Sequence, residues 1–398
     1  MSEAPEGRVL ALNCGSSSVK LALLDPRTGE RSLTALAERV GSAGATVTVR
    51  RGEFASISSP DDSSHRGVVE HLVEDLRDAE RDSLVGVGHR VVHGGPDFRE
   101  SVVVDDLIVR RIAAVSELAP LQVPGNLAGI EAARSALGHL PSVAVFDTAF
   151  HATLPPIAYR YAVPASWYEQ HGVRRYGFHG ISHRYVSARA AELIGVPLSE
   201  LRLVTLHLGN GCSGAAIKGG ISVDTTMGLT PLEGLVMGTR SGDIDAGALG
   251  YVGPRLGLEL SALVDELNRS SGLLGLSGLS NDMRTLTDAA RDGSDAATLA
   301  IDVFCYRAAK AVGSLSVALG GLDAVVLTGG IGAHSADARA GILGHLGGLG
   351  LEIDAVANAE HGATTGGRIS RSEHPIALVV PTDEELVIAR DTAALASR

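Results

Sequence analysis

Two short segments of the sequence share an unusual order of residues: an apolar run, a polar loop rich in Gly and Ser, and a second apolar run. In the first segment, the runs Val9–Leu12 and Val19–Leu24 flank the loop. In the second, an apolar run that begins at Leu203 leads into the loop Gly209–Ser213. Each pattern predicts a β-hairpin. Nearly half of the 398 residues separates the two loops, which indicates two copies of one fold unless the two turns coincide by chance.

Outside the hairpins, apolar runs with strand character alternate with segments of helical spacing. The predicted strands are Ser83–Val92, Ser142–Phe146, Ala324–Leu327 and Ile376–Val380. The predicted helices are Leu107–Leu118, Ala128–Leu137, a helix capped by Ser182 that ends at Leu193, Asp295–Leu319, and a last helix with a capping box of Thr382 and Glu385. This alternation, together with the hairpins, predicts an α/β fold with mixed sheets.

The composition is that of a globular protein with more than one domain. At 398 residues the chain exceeds the usual size of one domain, and we place the boundary at a crossover near Phe150. The net charge of −12 argues against nucleic acid or an anionic membrane as a partner. No apolar run approaches the ~18 residues of a membrane span. The first residues lack the basic start of a signal peptide, and three scattered cysteines indicate reduced thiols, so we expect a cytoplasmic protein.

Glycine is in excess, with 49 residues, which is about 12% against an average near 7%. Short Gly/Ser clusters allow several backbone N–H groups to converge on a phosphate. Three such loops follow predicted strands: Asn13–Ser18, His207–Ser213 and Thr328–Gly332. None of them matches the P-loop or dinucleotide-binding motifs. Their arrangement resembles the class of actin, hexokinase and Hsp70, in which two duplicated domains clamp ATP between hairpin loops.

Four basic side chains lie in glycine-rich motifs. Arg90 and Arg240 are each embedded among glycines, where a guanidinium group can bind a carboxylate or phosphate through two hydrogen bonds. His179 is a candidate donor to a transferring phosphoryl group. We expect capping or packing for His183, and the pair gives little support to a zinc site because no third ligand cluster accompanies it.

Two carboxylates occupy positions of the kind that usually hold Mg²⁺ in a nucleotide-binding cleft. Asp147 directly follows a predicted strand, and Glu384 opens the last helix. For Glu384 the alternative is a charge that stabilises the first turn of the helix.

In their order and spacing, these motifs resemble the acetate kinase family over essentially the whole chain. The matching motifs are NCGSSSVK, GHRVVHGG, VFDTAFH, YGFHGISH, HLGNGCS, DTTMGLTPLEGLVMGTRSGDID, SGLSNDMR, TGGIG and PTDEELVIARDT. The run from Asp224 to Asp245 is too long and specific to arise by chance. The resemblance implies two duplicated actin-like (ribonuclease H-like) domains with an ATP cleft between them. Residues 1–149 with the helix 385–398 would form the carboxylate side, and residues 150–384 the nucleotide side.

The resemblance also implies a role for each matching position. The catalytic residues would be Asp147, the active-site acid, with His179 and Arg240, which stabilise the transition state. The carboxylate of the substrate would be bound by Arg90, and its methyl group by the apolar residues Val92, Leu121, Phe178 and Pro231. Mg²⁺ or Mn²⁺ would be held by Asn13 and Glu384. ATP or ADP would be bound by Lys20, His207, Leu208, Gly209, Asn210, Gly211, Asp282, Met283, Arg284, Gly330, Ile331, Gly332, Ala333 and His334.

The sequence departs from the family pattern at two places. The family usually has His-Asn after Ala-Pro-Leu, whereas this chain has Gln122 and Val123, which puts one catalytic helper in doubt. The family usually has Glu-Asn after Gly-Gly-Ile-Gly, whereas this chain has Ala333 and His334, at the expected adenosine contacts.

The implied reaction is acetate + ATP ⇌ acetyl phosphate + ADP, catalysed by a homodimer. Because acetate is already ionised at pH 7, we interpret Asp147 as a group that orients an arginine or a metal-bound water. One alternative is a kinase for propionate or another short-chain carboxylate, since one methylene changes binding by only ~1–3 kcal/mol. A second is a non-catalytic, nucleotide-switched protein of the actin or Hsp70 type. The apolar pocket residues argue against a sugar kinase.

Overall fold

The computed structural model describes residues 7–397, which form two compact units. The first unit comprises residues 7–150 together with 383–397, and the second comprises residues 151–382. The first unit is therefore discontinuous in sequence. No helix within residues 7–397 combines the length and the apolar character that a membrane span requires. The three cysteines, Cys14, Cys212 and Cys305, are buried and form no disulfide.

Strands and helices alternate along the described residues. The strands are β1 (Arg8–Cys14), β2 (Ser18–Leu24), β3 (Arg31–Glu38), β4 (Thr46–Arg51), β5 (Phe54–Ser58), β6 (Leu84–Val91), β7 (Val102–Val103), β8 (Ser142–Phe146), β9 (Arg202–Leu208), β10 (Cys212–Lys218), β11 (Ile221–Thr225), β12 (Ala324–Thr328) and β13 (Ile376–Val379). The helices are α1 (His65–Glu74), α2 (Asp78–Asp82), α3 (Asp106–Ala114), α4 (Val123–Ala136), α5 (Pro156–Tyr159), α6 (Ala165–His171), α7 (Gly180–Ile194), α8 (Ala246–Leu256), α9 (Leu260–Arg269), α10 (Gly272–Ser277), α11 (Met283–Arg291), α12 (Asp295–Leu319), α13 (Gly329–His334), α14 (Ala336–Gly344), α15 (Ala355–Ala359) and α16 (Glu384–Ala396).

The first unit is built on an eight-stranded mixed sheet in the order β5-β4-β3-β2-β1-β6-β8-β7. Strands β1 and β2 form the predicted antiparallel hairpin, and β1, β6 and β8 run parallel to one another. Helix α16 packs on β1, β6 and β8. Side chains at Gly86 and Gly88 of β6 would collide with Thr392 and Ile388 of α16, so these two glycines allow the helix to lie close against the sheet.

The second unit is built on a five-stranded mixed sheet in the order β11-β10-β9-β12-β13. Strands β9 and β10 form the second predicted hairpin, and β9, β12 and β13 run parallel. The long helix α12 packs on β9, β10 and β11, while α7 packs on β9 and β12. Gly329, where β12 turns into α13, has a φ of 77°, and a side chain there would strike the backbone of Leu208.

The two sheets repeat one strand order. In each, an antiparallel β-meander of three strands is followed by two parallel strands: β3-β2-β1-β6-β8 in the first unit and β11-β10-β9-β12-β13 in the second. The hairpins that share the polar loop occupy equivalent places in this order. The predicted α/β class with mixed sheets and a duplicated fold is therefore confirmed.

Most predicted elements are found, with two helix bounds displaced. The strand Ser142–Phe146 and the helix Asp295–Leu319 have the predicted bounds. The predicted helix Leu107–Leu118 ends at Ala114 and continues as a short 3₁₀ turn. Helix α4 begins at Val123, five residues earlier than predicted, because Pro124 fits the first turn of a helix.

Two predicted helix caps are wrong. His179 is the N-cap of α7, and its left-handed backbone (φ 55°) places Ser182 inside the first turn, where its hydroxyl contacts His207 instead. Helix α16 is capped by Asp383, which accepts the backbone N–H of the third helical residue, and the buried Thr382 hydroxyl has no hydrogen-bond partner among the described residues. The observed N-cap residue lies three residues before the predicted one in α7 and one residue after the predicted one in α16.

Candidate active site

Three neighbouring parallel strands of the first unit carry predicted site residues at their carboxyl ends. Asn13 lies at the end of β1, Arg90 lies at the end of β6, and Asp147 directly follows β8. Ligands of α/β proteins bind outside the carboxyl ends of such strands, since side chains from separate strands meet there. The parallel pairing thus brings together three residues that are far apart in sequence.

Arg90 and Asp147 form a buried ion pair with two-pronged geometry. Arg90 Nε donates to Asp147 Oδ1 over 3.1 Å, and Nη2 donates to Oδ2 over 2.6 Å. Burial by itself would lower the pKa of Arg90, but the carboxylates of Asp147 and Glu384 outweigh it and hold that pKa above its ordinary value. Arg90 is therefore a permanent, oriented cation.

The remaining edge of the Arg90 guanidinium faces two oxygen atoms that could serve a metal. Nη1 lies 3.4 Å from Asn13 Oδ1 and 3.8 Å from Glu384 Oε2. Among the described side chains, no group of three or more His, Cys, Asp or Glu could hold a metal ion alone. Mg²⁺ usually takes only one or two protein oxygens and keeps waters and substrate phosphates as its other ligands. One carboxylate and one amide oxygen therefore fit Mg²⁺.

Lys20 lies across the first hairpin from Asn13. The two residues are paired in the antiparallel register of β1 and β2. The Lys20 side chain is exposed and makes no hydrogen bond or ion pair with another described residue. Its ammonium group is thus available to an anion.

Asn126 of α4 ties the same strand ends together, and sequence reasoning missed it. Its Oδ1 accepts the backbone N–H of Val92 (3.0 Å), and its Nδ2 donates to the carbonyl oxygen of Cys14 (2.6 Å). The side chain is 2% exposed. A buried amide that bonds Cys14, next to Asn13, and Val92, two residues after Arg90, holds these two strand ends in register. The only sequence signal is a lone Asn in the otherwise apolar first half of the helix.

The first pair of residues that departs from the family pattern, Gln122 and Val123, lies at the start of α4. Gln122 is the N-cap residue, is half-buried, and its side chain forms no hydrogen bond with a described residue. Val123 is fully buried. Of the four predicted apolar pocket residues, Val92 and Leu121 belong to the first unit, and Phe178 and Pro231 to the second. The pocket itself stays a prediction.

In the second unit, the hairpin loop after β9 lies against two predicted catalytic residues. A β-carbon on Gly211 would stand 3.3 Å from His179 Cε1 and Nε2, and 3.5 Å from Arg240 Nη2. The absence of a side chain at Gly211 therefore leaves the His179 ring and the Arg240 guanidinium open toward the loop. The His179 ring stacks on the ring of His207, with centroids 4.3 Å apart.

Arg240 is a cation without an acidic neighbour among the described residues. Its Nη1 donates to the carbonyl oxygen of Pro231 (2.7 Å) and approaches Met237 Sδ (3.6 Å), and no described carboxylate pairs with it. Burial lowers the pKa of Arg240, a shift that Cys212 only partly opposes. A desolvated guanidinium whose charge is not neutralised by the protein attracts an anionic ligand strongly.

A cavity of about 670 Å³ opens beside the same loop in the second unit. Its lining includes eight residues predicted to bind nucleotide: Gly209, Asn210, Asp282, Met283, Arg284, Gly330, Ile331 and His334. Its size is within the range of small-molecule sites. Five predicted residues of this unit do not line it: His207, Leu208, Gly211, Gly332 and Ala333.

Asp282 has a structural task in this cavity wall. It is the N-cap of α11, accepts the backbone N–H groups of Arg284 and Thr285, and pairs with the Arg284 side chain. The hydrogen bond from Arg284, with its charge, lowers the pKa of Asp282 to about 2. The Arg284 side chain is 90% exposed, so its position is held mainly by Asp282.

Arg339 is the second residue that sequence reasoning missed. It is fully buried and donates to the carbonyl oxygens of Gly332 (3.0 Å) and Ala333 (2.9 Å) at the end of α13. It also bonds the side chain of Asn358 (2.8 Å). Arg339 therefore anchors the short helix that carries Gly330, Ile331 and His334 into the cavity wall.

Comparison with known proteins extends over nearly the whole chain. A relative named acetate kinase, from Deinococcus deserti, is 54% identical over 385 residues, which is 96% of each chain. A solved structure of a propionate kinase from Francisella tularensis gives a TM-score of 0.93 at 41% identity and covers 98% of this chain and 100% of that one. The acetate kinase of Porphyromonas gingivalis gives 0.90 at 40% identity, with coverage of 98% and 99%.

The profile of the acetokinase family matches residues 8–390. This range includes both hairpins, both parallel strand sets and every predicted site residue. The family resemblance expected from the motifs is confirmed. The chain belongs to the acetokinase family.

Proposed function

We propose that this protein is an acetate kinase, which transfers the γ-phosphoryl group of ATP directly to acetate and gives acetyl phosphate and ADP in a reversible reaction. The observation that carries the proposal is the full-length similarity, at 54% identity, to a protein named acetate kinase. The arrangement of cations and hydrogen-bond donors in each unit supports it.

The carboxylate substrate needs orientation and charge rather than a base. Carboxylic acids have ordinary pKa values near 4, so acetate is ionised at pH 7. The main obstacle is the repulsion between an anionic nucleophile and the phosphates of ATP. Arg90 supplies fixed positive charge for the carboxylate, and Asp147 holds that guanidinium through two hydrogen bonds. Asp147 therefore acts as a positioning residue for Arg90.

Groups of the second unit would stabilise the phosphoryl group in transit. As an acetate oxygen forms its bond to phosphorus, the bond from phosphorus to the leaving oxygen of ADP breaks, and negative charge is spread over the three other oxygens. Arg240 and His179, both next to Gly211, supply a charge and a hydrogen-bond donor for these oxygens. Preorganised donors of this kind usually lower the activation barrier more than any other single effect in such catalysis.

Mg²⁺ would be held by Glu384 and, directly or through water, by Asn13. When bound, it would neutralise charge on the phosphates of ATP. Lys20 adds a further positive charge on the hairpin that carries Asn13.

The nucleotide would occupy the cavity lined by Asn210, Asp282, Arg284 and α13 in the second unit. Ala333 and His334 replace the family's usual Glu-Asn at the end of α13. Ala333 is buried, so His334 is the replacement that faces the nucleotide. We further propose a cytoplasmic homodimer; sedimentation of the purified protein would test the dimer.

The proposal has two competitors. The first is a kinase for a slightly longer carboxylate, which the similarity to a solved propionate kinase favours. A protein that binds ATP and changes conformation without transferring phosphate is the second. Both predict ATP binding, so nucleotide affinity alone does not separate them from an acetate kinase.

A hydroxamate assay with ATP, Mg²⁺ and hydroxylamine separates all three. Acyl phosphates react with hydroxylamine to give hydroxamates, whose ferric complexes are coloured, so formate, acetate, propionate and butyrate can be compared directly. An acetate kinase gives its highest kcat/KM with acetate, and one methylene lowers it by roughly 10- to 200-fold. A higher value with propionate would assign the first competitor. ATP binding without hydroxamate from any of the four would assign the second.

A further inference from the structure

A chain of hydroxyl and imidazole groups runs behind His179 in the second unit. Thr205 Oγ1 lies 2.6 Å from His183 Nδ1, His183 Nε2 lies 2.8 Å from Ser213 Oγ, and the same Oγ lies 2.8 Å from His179 Nδ1. Thr205, His183 and Ser213 are fully buried. These three hydrogen bonds connect the interior of the unit to the ring proposed to face the phosphoryl group.

The buried hydroxyl of Thr205 determines which group donates and which accepts in each of these hydrogen bonds. Its one hydrogen-bond partner among the described residues is His183 Nδ1. If Thr205 only accepted, its own O–H would stay unpaired in the interior, which is energetically unfavourable. Thr205 therefore donates, and His183 Nδ1 accepts.

Each following bond is then determined. Burial lowers the pKa of His183 well below its ordinary value, so the ring is neutral and carries one proton. Because Nδ1 accepts, that proton is on Nε2 and is donated to Ser213 Oγ. The Ser213 hydroxyl then has its own proton for its remaining partner, His179 Nδ1. A ring nitrogen that accepts carries no proton.

A second, shorter chain acts on the neighbouring ring. The fully buried Ser182 hydroxyl has one partner among the described residues, His207 Nδ1, at 2.8 Å. By the same reasoning Ser182 donates, which leaves the proton of His207 on Nε2. Two neutral rings stack without charge repulsion, in agreement with the 4.3 Å between the His179 and His207 centroids.

We propose that Thr205, His183 and Ser213 are positioning residues that fix His179 as the neutral tautomer with its proton on Nε2. Of the two ring nitrogens, Nε2 is the one that lies against Gly211, where a β-carbon would stand 3.3 Å from it and 3.5 Å from Arg240 Nη2. The neutral ring donates a hydrogen bond there without adding a second positive charge beside the arginine. The catalytic consequence rests on the proposed function, whereas the tautomer itself does not.

The tautomer can be measured in the resting protein by NMR. Long-range ¹H–¹⁵N correlation distinguishes protonated from unprotonated ring nitrogens, and a His179→Gln sample assigns the signal among the 14 histidines. At pH 7.5 we expect His179 with Nδ1 unprotonated and Nε2 protonated. The Nδ1–H tautomer, or an imidazolium, would overturn the proposal.

Variants remote from the substrates test the chain itself. Thr205→Val has nearly the same shape but lacks the hydroxyl, so His183 and Ser213 lose their fixed direction and His179 becomes a mixture of tautomers. Thr205→Ser keeps the hydroxyl and should retain the Nε2–H form. An unchanged His179 signal in Thr205→Val would overturn the role of Thr205. If that variant does not fold, the wild-type spectrum still decides the tautomer.

Kinetics of Ser213→Ala link the tautomer to turnover. Loss of one buried hydrogen bond to His179 should lower kcat about five- to tenfold, with little change in the KM values for ATP and carboxylate. A purely structural role would lower the amount of active protein but leave the His179 signal of the folded fraction unchanged. An inactive wild type that shows the Nε2–H signal would refute the proposed function and leave the tautomer assignment intact.

Discussion

Arg90 and Asp147 meet side by side, with two guanidinium nitrogens against the two carboxylate oxygens and a shortest contact of 2.6 Å. The Asp147 side chain is 1% exposed, whereas that of Arg90 is 17% exposed. The carboxylate is thus sealed behind the arginine, and it is the arginine that is presented to a ligand.

This relationship predicts a large effect of a small change. Asp147→Asn keeps the shape of the side chain but removes the charge that fixes Arg90, so kcat for carboxylate phosphorylation should fall about 10²–10³-fold. Asp106→Asn, which alters an exposed ion pair with Arg134, is the matched control and should stay near wild type. Retention of more than a tenth of the activity by Asp147→Asn would show that Arg90 needs no such partner.

Arg240→Ala should separate catalysis from folding. The arginine has no carboxylate partner among the described residues, so its removal leaves no buried anion and the thermal unfolding midpoint should change little. Turnover should fall about 10²–10³-fold, because a donor to the phosphoryl group is lost. Arg189→Ala on the exposed face of α7 serves as the control. A variant with normal turnover would contradict the assignment of Arg240.

Glu384 and Glu385 are adjacent carboxylates in the first turn of α16, and comparing them distinguishes a metal ligand from a helix charge. Both stabilise the helix dipole to a similar degree. We expect Glu384→Ala to raise the Mg²⁺ concentration for half-maximal activity by at least about tenfold. Glu385→Ala should leave it unchanged. Identical Mg²⁺ titrations of the two variants would show that Glu384 only stabilises the first turn of the helix.

Gln122 offers a gain of function. Its side chain has no hydrogen bond with a described residue, so replacing it breaks none. A protonated histidine could donate a charge-assisted hydrogen bond, which exceeds a neutral one by about 1 kcal/mol, or roughly fivefold in rate. Gln122→His should therefore raise kcat/KM several-fold below pH 6.5 and much less above pH 8. Parallel pH profiles for variant and wild type would show that Gln122 only lines the wall.

His151 predicts a loss of stability in acid. It is fully buried, with Nδ1 2.7 Å from Ser222 Oγ and Nε2 3.0 Å from the carbonyl oxygen of Phe178. Burial lowers the pKa of His151 to about 4, a shift that the Phe178 carbonyl only partly opposes.

The direction of this pH effect on the free energy of unfolding follows from proton binding. Between pH 6.5 and about 4 the unfolded chain binds a proton at His151 that the folded protein does not, so the free energy of unfolding falls as pH falls, by about 3 kcal/mol in total. Urea unfolding at pH 7.5 to 4.5 measures this slope. His151→Gln can keep both hydrogen bonds without titrating and should flatten the slope by about one proton. Equal slopes would contradict the prediction.

Regular periodicity and loop chemistry were sufficient to predict both hairpins, the strand Ser142–Phe146 and the 25 residues of α12. Local rules failed where a residue adopts an unusual backbone, as His179 does at φ 55°. They also failed where bonds are distant: Asn126 reaches partners 34 and 112 positions away. The motifs identified the groups with chemistry, but the buried hydroxyls and amides that orient them depend on strand pairing that no local pattern contains.

Because the first unit is discontinuous in sequence, its two segments are translated at different times. Residues 151–382 form a continuous unit and leave the ribosome before α16 does. Until α16 is made, β1, β6 and β8 lack the helix that packs on them. Gly86 and Gly88, against which that helix lies closely, are then not covered by it. Arg90 likewise lacks Glu384, which arrives with that helix. The first unit is therefore completed only after residues 151–382 have been made, and until then a nascent chain lacks the full set of groups around Arg90.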